Sequence, residues 1–416
     1  MNSELIALGS RAKKAAASLA VVSTAQKNRA LLSIADLLEQ KSGQILENNR
    51  IDIENAGANG IAEVMIDRLR LTEERIAAIA DSVRKVVDLD DPVGVVDNGK
   101  TMPNGLSILC KRVPLGVVGM IYESRPNVTV DAAVLCLKAS NAVILRGGKE
   151  AFRTNAVLVE LMREAVEREG LDCNVINLLT DLSREASTQM MKMNGYLDVL
   201  IPRGGAGLIQ AVVQNATVPV IETGTGNCHV YVDASADLEM AVRIVDNAKT
   251  SRPSVCNACE SLVVHKAVAE KFLPIMAKAF EAHHVEMYGC GETRRILGDG
   301  ILPATEKEYA EEFLDYKISV RVVENFNQAV EHINRYTTHH SDCIVTNDFQ
   351  NAQEFTARID SAAVYVNAST RYTDGGEFGL GAEIGISTQK LHARGPMGLR
   401  DLTTVKYIVT GNGQIR

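Results

Sequence analysis

Short β-branched runs alternate with helical stretches over most of the chain, and this alternation constrains the fold more than any other feature. In a first block the runs lie at 117–122, 142–146, 175–178, 199–201, 218–221 and 230–232. Segments with helical spacing separate them at 128–139, 151–169, 183–193 and 206–215. Because parallel strands need a long crossover, usually a helix, this block predicts a parallel sheet with helices on both faces.

A second alternating block predicts a second α/β domain. Its strands are expected at 262–265, 320–323, 343–345 and 364–366, and its helices at 266–283, 326–335 and 348–358. Residues 3–90 are predicted to be helical, and 369–398 to form a long loop rich in glycine and charge. The β-like segment 402–409 is predicted to pair with 106–113.

Composition narrows the classes of function. A net charge of -8 and the absence of Trp argue against binding to nucleic acid. Eight scattered cysteines in 416 residues do not form a disulfide framework, so a reducing cytosol is the expected setting. Residues 11–22 faintly resemble a signal peptide but run into a charged helical segment, and no apolar run is long enough to span a membrane.

Cys256 is the candidate nucleophile. It lies in the run SRPSVCNAC (251–259), which is predicted to follow a helix rather than to lie inside a strand. Arg252 lies four residues upstream, and a nearby cation favours the nucleophilic thiolate. A thiolate suits a covalent thioester or thiohemiacetal intermediate. Cys259 forms a C-x-x-C with it, but without a second such motif we expect no metal and a structural Cys259.

Three glycine clusters are predicted to follow strands, although the two standard phosphate-binding motifs, G-x-G-x-x-G and G-x-x-x-x-G-K-[ST], are absent. A glycine turn at the end of a strand, with free N–H groups at a helix start, suits a pyrophosphate. Tight turns with basic caps would give the same pattern, but three clusters upstream of a candidate thiolate favour a dinucleotide. The candidate cofactor-binding residues in these clusters are Arg146, Gly147, Gly148, Lys149, Gly204, Gly205 and Gly224.

Several motifs resemble the aldehyde dehydrogenase superfamily, and the resemblance covers nearly the whole chain. They are IYESRPNVT (121–129), VILRGG (143–148), VIETGTGNCH (220–229), RPSVCN (252–257) and the segment 377–398. A further signature at 330–344 carries Thr337 and Thr338 where the family pattern has a small Gly or Ser followed by Ser or Thr, a mild departure. Within the superfamily, the chain is similar to the group that reduces an acyl phosphate.

The resemblance implies NADPH-dependent reduction of L-glutamyl 5-phosphate to L-glutamate 5-semialdehyde, with release of phosphate, as the second step of proline biosynthesis. It implies an NADP(H)-binding domain over 1–240, a catalytic domain over 241–366, a return to the cofactor domain with an active-site loop over 367–400, and an oligomerisation strand over 401–416. Residues 97–114 would complete an oligomerisation arm, giving a homodimer or larger homo-oligomer. A transient contact with the glutamate kinase that supplies the substrate is also implied.

The resemblance also implies roles for individual residues. The Cys256 thiolate would attack the acyl carbon, and its backbone N–H, together with Asn127 or Ser124, would hold the oxyanion. Glu222 would be structural or contact the nicotinamide, and Glu312 stands where relatives bind the nicotinamide ribose. The candidate substrate-binding residues are Arg125, Arg252, His340, Ser341 and Asp342, with Lys249, Arg371, Glu377 and Arg394 as further candidates.

Two alternatives stay open at this stage. A non-phosphorylating aldehyde dehydrogenase would hydrolyse its thioester with Glu222 as general base, and a non-catalytic binding protein could use the same fold.

Overall fold

The structure, a computed structural model, describes residues 3–61, 63–123 and 125–416. Its helices are α1 (Ser3–Leu19), α2 (Thr24–Gln40), α3 (Ser42–Ala58), α4 (Glu63–Leu69), α5 (Glu73–Asp88), α6 (Pro126–Lys138), α7 (Phe152–Arg168), α8 (Arg184–Met190), α9 (Ala206–Asn215), α10 (Leu238–Thr250), α11 (Lys266–Glu281), α12 (Gly291–Leu297), α13 (Glu306–Ala310), α14 (Phe326–Tyr336) and α15 (Phe349–Arg358).

The strands confirm most of the predicted runs. They are β1 (Val96–Thr101), β2 (Ser107–Pro114), β3 (Val117–Tyr122), β4 (Ala142–Arg146), β5 (Ile176–Leu178), β6 (Val199–Arg203), β7 (Cys228–Val232), β8 (Cys259–His265), β9 (Glu286–Gly289), β10 (Leu302–Pro303), β11 (Lys317–Val323), β12 (Ser341–Val345), β13 (Ala363–Val366), β14 (Ile386–Ser387), β15 (Gly395–Pro396) and β16 (Thr403–Thr410).

The chain divides into two compact units. Unit 1 comprises the residues up to Thr223, Gly379–Gly385 and Met397–Arg416, and unit 2 comprises Gly224–Phe378 and Ile386–Pro396. The first division therefore falls between Thr223 and Gly224, whereas the sequence analysis placed it after residue 240. The functional roles expected for the domains stay predictions.

Unit 1 is built on a parallel sheet with the strand order β5-β4-β3-β6. All six residues of β3 are buried, which is typical of a central strand covered on both faces. Helices α1, α8 and α9 supply apolar side chains to a core that includes Leu5, Met190 and Val212. Helix α6 begins at Pro126, a residue well suited to the first helical position because its missing N–H would be unpaired there.

Unit 2 is built on a seven-stranded parallel sheet with the order β10-β9-β11-β8-β7-β12-β13. One core includes α10 and α11 residues such as Val245 and Phe272, and another includes α14 and α15 residues such as Ile333 and Phe355. Helices on both faces confirm the doubly wound α/β prediction. The predicted strand at 230–232 was grouped with the first block, but β7 belongs to this second sheet.

The predicted pairing of the C-terminal segment is confirmed. Strand β16 pairs antiparallel with β2, from Thr403 opposite Pro114 to Thr410 opposite Ser107, and β1 pairs with the other edge of β2. Arg112 bonds Thr403 at 2.9 Å and forms an ion pair with Asp97 at 3.1 Å. The three strands form the sheet expected for an oligomerisation arm.

One predicted strand was wrong. Over 218–221 the structure shows an isolated bridge between Leu200 and Val220. Pro219 has no N–H to give to a ladder. Its carbonyl accepts the N–H of Leu200 at 2.8 Å, and the N–H of Ile221 donates to the carbonyl of Leu200 at 3.0 Å. The third glycine cluster therefore follows this bridge rather than a strand.

In the described part of the chain, no helix combines the length and the apolar character needed to cross a bilayer.

Candidate active site

Cys256 lies in the turn between α10 and β8, as the sequence predicted, and its side chain is half-buried. A turn outside the sheet leaves a thiol accessible to a ligand, whereas a strand position would bury it. Its backbone carbonyl accepts a hydrogen bond from the S–H of Cys228 at 3.2 Å. The nucleophile's main chain is thus held from the side of β7.

Gly226 packs directly against the main chain of Cys256. A Cβ added at Gly226 would overlap the carbonyl oxygen and carbonyl carbon of Cys256. This glycine is therefore required by close packing of two backbones. The glycines of this cluster were predicted to bind a cofactor.

Glu312 is brought to the same place. Its carboxylate accepts the backbone N–H of Gly226 at 2.6 Å, and burial raises its pKa while this hydrogen bond opposes the rise. Glu312 lies beyond the end of α13, in a segment that is not helical. Its predicted contact with a nicotinamide ribose stays a prediction.

Arg371 anchors the nucleophile segment. Its guanidinium donates to the side-chain oxygen of Asn257 and, at 3.2 Å, to the hydroxyl of Ser251. The hydroxyl of Thr370 donates to the carbonyl of Asn257 at 2.7 Å. Residues on both sides of Cys256 are therefore tied to the turn Thr370–Tyr372.

Arg371 also contributes positive charge. Burial lowers its pKa, the charge of Arg252 lowers it further, and a negative charge on Cys256 would raise it. The guanidinium of Arg371 thus lies within electrostatic range of Cys256, and its positive charge favours the thiolate. Arg371 was only a secondary candidate in the sequence analysis, because a contact across more than a hundred residues leaves no trace in local spacing.

The other nearby thiols are held protonated. Burial raises the pKa of Cys228 well above its usual value, and raises that of Cys259 to about 12. Cys259 is fully buried at the start of β8, where its S–H donates to the carbonyl of Ser261 at 3.4 Å. Burial therefore favours the structural role predicted for Cys259 and leaves Cys256 as the candidate nucleophile.

His340, Ser341 and Asp342 lie at or beside the start of β12 and are fully buried. One carboxylate oxygen of Asp342 accepts the backbone N–H of His229 at 2.9 Å and lies 3.1 Å from its Nδ1. The other accepts the hydroxyls of Thr337, at 2.7 Å, and Ser361. A carboxylate occupied in this way favours a structural role over the predicted contact with a substrate amine.

The same holds for His340 and Ser341. Nδ1 of His340 lies 2.8 Å from the hydroxyl of Ser341, which lies 2.6 Å from that of Thr373. Burial lowers the pKa of His340 to about 4, so its ring is neutral at physiological pH. Through Thr373 these side chains contact the end of the turn Thr370–Tyr372, which anchors the segment of Cys256. This placement does not favour their predicted contact with substrate, which stays a prediction.

Two of the further substrate candidates are engaged elsewhere in unit 2. Lys249 is fully buried and pairs with Glu260 at 2.6 Å. Arg394 pairs with Asp360 at 2.9 Å. Arg252 and Glu377 are exposed.

In unit 1, the N-terminus of α9 attracts negative charge. The carboxylate of Glu123 accepts the N–H of Gly205 at 3.0 Å, and a Cβ at Gly204 would come within 2.7 Å of that carboxylate group. Gly205 occupies the N-cap position of α9, where free N–H groups and the helix dipole favour an anion. The N–H of Gly205 is thus engaged by a carboxylate of the chain itself, and the predicted contact of Gly204 and Gly205 with a diphosphate stays a prediction.

The glycine cluster after β4 has a different character. Arg146 donates to the carbonyls of Gly147 at 2.9 Å and Leu182 at 2.7 Å, and burial lowers its pKa. A Cβ at Gly147 would overlap the side chain of Asn155, so packing requires this glycine. Gly148 is half-buried and Lys149 is exposed, which leaves Lys149 as the accessible cation of the cluster.

The remaining predicted residues of unit 1 lie around the start of α6 and before Thr223. Asn127 is exposed and donates its side-chain amide to Asp131 at 3.1 Å. Arg125 occupies the N-cap position of α6, and Glu222 is half-buried. Ser124 lies outside the described residues. The roles of Asn127, Arg125 and Glu222 stay predictions.

Gly224, the first residue of unit 2, packs against β14. A Cβ there would overlap the side chain of Thr388, and its N–H donates to the carbonyl of Ile386 at 3.0 Å. Among the described residues, no group of three or more His, Cys, Asp and Glu side chains could hold a metal ion.

The model of the aldehyde dehydrogenase family matches residues 3–290 of this chain. The chain therefore belongs to the aldehyde dehydrogenase family, which confirms the resemblance in its motifs. Relatives at high identity narrow the group. The chain is 57% identical over 416 residues to the gamma-glutamyl phosphate reductase of Clostridium perfringens strain 13, and 58% identical over 413 residues to that of Carboxydothermus hydrogenoformans. The matches cover 100% of both chains in the first case and 99% of both in the second.

Solved structures agree. The gamma-glutamyl phosphate reductase of Thermotoga maritima matches with a TM-score of 0.97 and 47% identity, over 100% of both chains. An acetylating aldehyde dehydrogenase from Geobacillus thermoglucosidasius matches with a TM-score of 0.72 over 99% of this chain and 97% of that one, and at 18% identity it shows the fold alone. The chain thus belongs, within its family, to the gamma-glutamyl phosphate reductases, and it is an oxidoreductase that uses a nicotinamide cofactor.

Proposed function

We propose that this chain reduces L-glutamyl 5-phosphate to L-glutamate 5-semialdehyde and phosphate, with NADPH as the reductant, in proline biosynthesis. The observation that carries the proposal is the setting of Cys256. Its thiol lies in a turn outside the sheet that Arg371 anchors, and the positive charge of Arg371 acts on it, while Cys228 and Cys259 are buried and protonated.

The Cys256 thiolate attacks the acyl carbon of the substrate. A carbon–sulfur bond forms, the bond to the phosphate oxygen breaks, and phosphate leaves with the electron pair. The product is a thioester on Cys256. Phosphate is a good leaving group, so no general acid is required at this step. The backbone N–H of Cys256 is the proposed donor to the oxyanion.

When bound, the reduced nicotinamide supplies the hydride that brings the thioester to the aldehyde level. The carbon–sulfur bond then breaks, the aldehyde leaves and the thiolate of Cys256 is restored. Gly226 and Arg371 keep the nucleophile in one position through these steps. Glu222 does not act as a general base in the proposed reaction, because hydrolysis of the thioester would release the acid instead of the aldehyde.

The proposed cofactor contacts involve four of the predicted residues. The start of α9 at Gly204 and Gly205 is the proposed site of the diphosphate, which would displace the carboxylate of Glu123 from the N–H of Gly205. The ammonium group of exposed Lys149 suits the 2′-phosphate that distinguishes NADPH from NADH. Glu312 is the proposed partner of the nicotinamide ribose.

The three-stranded sheet of β1, β2 and β16 supports a homo-oligomer. Val405, Tyr407 and Val409 are exposed on β16, and this strand is an edge of its sheet. An exposed apolar edge strand offers backbone groups and apolar area to another chain. A second copy of the chain is the proposed partner, and a transient contact with a glutamate kinase remains part of the proposal.

All eight cysteines lie in the described part of the chain and are free thiols. Eight cysteines without a disulfide are expected in a reducing compartment, and we propose that the protein is located in the cytoplasm.

The reverse reaction tests the function. Glutamate semialdehyde and NADP⁺ are supplied with and without phosphate, and nicotinamide reduction is followed for wild type, Cys256→Ala and Glu222→Gln. We expect turnover that needs both phosphate and Cys256, and that Glu222→Gln retains. Phosphate-independent turnover that is lost in Glu222→Gln would instead establish a hydrolytic aldehyde dehydrogenase. The absence of any turnover, with the cofactor bound but not reduced, would favour a binding protein.

A further inference from the structure

Lys249 and Glu260 form an ion pair without access to solvent. Nζ of Lys249 lies 2.6 Å from Oε2 of Glu260, and both side chains are 0% exposed. Lys249 is in the last turn of α10, and Glu260 is the second residue of β8. The pair therefore joins the two ends of the segment that carries Cys256.

The other oxygen of Glu260 reaches a different segment. Oε1 accepts the backbone N–H of Leu314 at 3.2 Å. Leu314 has a φ of 53°, which is uncommon for a side chain of this size and needs support from its surroundings. Burial raises the pKa of Glu260, the charge of Lys249 opposes the rise, and the charge of Glu312 adds to it. Glu260 thus acts electrostatically on the same segment that it anchors.

That segment leads back to the nucleophile. Glu312, two residues before Leu314, accepts the N–H of Gly226, and Gly226 packs against the carbonyl of Cys256. The contacts form a closed path that runs from Lys249 to Glu260, through Leu314 and Glu312 to Gly226, and so to Cys256.

We propose that Glu260 is a positioning residue, which fixes Cys256 and Glu312 in one arrangement through its two carboxylate oxygens. The chemical meaning of that arrangement rests on the function proposed above. A buried ion pair is weak support for stability by itself, since well-packed apolar side chains of similar volume are often neutral or stabilising in its place. The two anchored segments give this pair a role that an apolar pair could not fill.

The test replaces both charges together, as Lys249→Met with Glu260→Leu, so that no unpaired charge is left in the core. Two properties of the protein are measured without substrate or cofactor. Hydrogen–deuterium exchange is followed in peptides that cover Gly226 and 311–316, and the rate of iodoacetamide alkylation is followed at Cys256 by peptide mass spectrometry. The matched control is Lys266→Met with Glu324→Leu, an exposed ion pair of unit 2 with a separation of 2.9 Å.

We expect the double variant to melt near the wild-type temperature, to exchange the Gly226 amide about tenfold faster, and to alkylate Cys256 more slowly. The control should match wild type in both rates. Wild-type rates at Gly226 and Cys256 in the folded double variant would overturn the proposal.

A second variant covers failure of the double variant to fold. Glutamine has a single acceptor oxygen in place of two. In Glu260→Gln this oxygen can accept a hydrogen bond at the position that faces Lys249 or at the position that faces the N–H of Leu314, but not at both. Faster exchange at Gly226 in Glu260→Gln is expected, and wild-type exchange there would contradict the role. Because these rates need no ligand, they stand whether or not phosphate-dependent turnover is found.

Discussion

Gly226 lies against the backbone carbonyl of Cys256 so closely that no side chain can stand between them. Replacement by alanine must move one of the two main chains, and a misplacement of about 1 Å at a reacting group can cost about 100-fold in rate. We therefore expect Gly226→Ala to lose about two orders of magnitude in kcat and to melt at a lower temperature. Steady-state kinetics and a thermal scan measure these effects.

Gly57→Ala is the matched control. Gly57 lies in α3, and a Cβ there would meet no atom within 4 Å. This variant should keep wild-type kinetics and be slightly more stable, because alanine is the better helix former. Equal kinetics in Gly226→Ala and Gly57→Ala would show that the contact with Cys256 has no bearing on the reaction.

The two cysteines of the C-x-x-C motif differ in burial, because Cys256 is half-buried and Cys259 is fully buried. Cys256→Ser should abolish turnover, because a serine hydroxyl is far less nucleophilic than a thiolate at neutral pH. Cys259→Ser should keep most of it, since the buried thiol of Cys259 makes no thiolate. The kinetics of both variants are read beside their circular dichroism spectra. Loss of turnover in a folded Cys259→Ser would give that residue a chemical role.

Arg371 should control the reactivity of Cys256. Arg371→Met removes both the fork that holds Asn257 and a positive charge beside the thiol, and we expect alkylation of Cys256 at pH 7 to slow about tenfold. Arg371→Lys keeps the charge but loses the planar guanidinium, so its alkylation rate should lie between those of Arg371→Met and wild type. Arg358→Met, which breaks an exposed pair with Glu354, is the control. The same alkylation rate in Arg371→Met and wild type would rule out an influence of Arg371 on the thiol.

Buried neutral histidines should make the fold sensitive to acid. The pKa of His340 is lowered to about 4 by burial, whereas an unfolded histidine titrates near 6.5. The unfolded chain therefore binds a proton first, so the contribution of His340 to stability is intact above pH 6.5 and is lost as the pH falls toward 4. The loss is about 3 kcal/mol at most. His332, whose pKa burial lowers to about 3, acts in the same direction.

Urea unfolding between pH 7.5 and 4.5 measures this loss. His340→Asn should flatten the decline in the free energy of unfolding, whereas the exposed neighbour His339→Asn should leave it unchanged. Parallel declines in wild type and His340→Asn would contradict the assignment.

Most of the fold could be predicted because its strands are apolar, β-branched and bounded by helices. Strands β3 and β4 begin and end where the pattern placed them. Strands β9 and β10 were missed because they are short and carry no period that the sequence could show. Membership of β7 in the second sheet could not be read either, since order along the chain does not say which strands pair.

The site was predictable only in part. Cys256 stood out because an arginine and a turn flank it in sequence. The hydrogen bonds of Arg371 to Asn257 and of Leu314 to Glu260 join distant segments, and hydrogen bonds of this kind depend on tertiary packing alone. His340 and Asp342 lie in a dense polar run that predicted a ligand-binding loop, whereas the structure places this run at the start of a buried strand. Their contact with substrate stays a prediction.

The pairing of β16 with β2 determines which unit can complete its fold first during synthesis. Thr410 is paired with Ser107 in the register of the two strands, and the side-chain amide of Asn141 donates to the carbonyl of Leu402 at 2.8 Å. Unit 1 is thus closed by residues that are synthesised after Pro396, whereas the whole of unit 2 has been synthesised by that point. A chain released just after Pro396 would carry a complete unit 2, including Cys256, and an incomplete unit 1. The edge of β2 that pairs with β16 would then be exposed to any other strand that meets it.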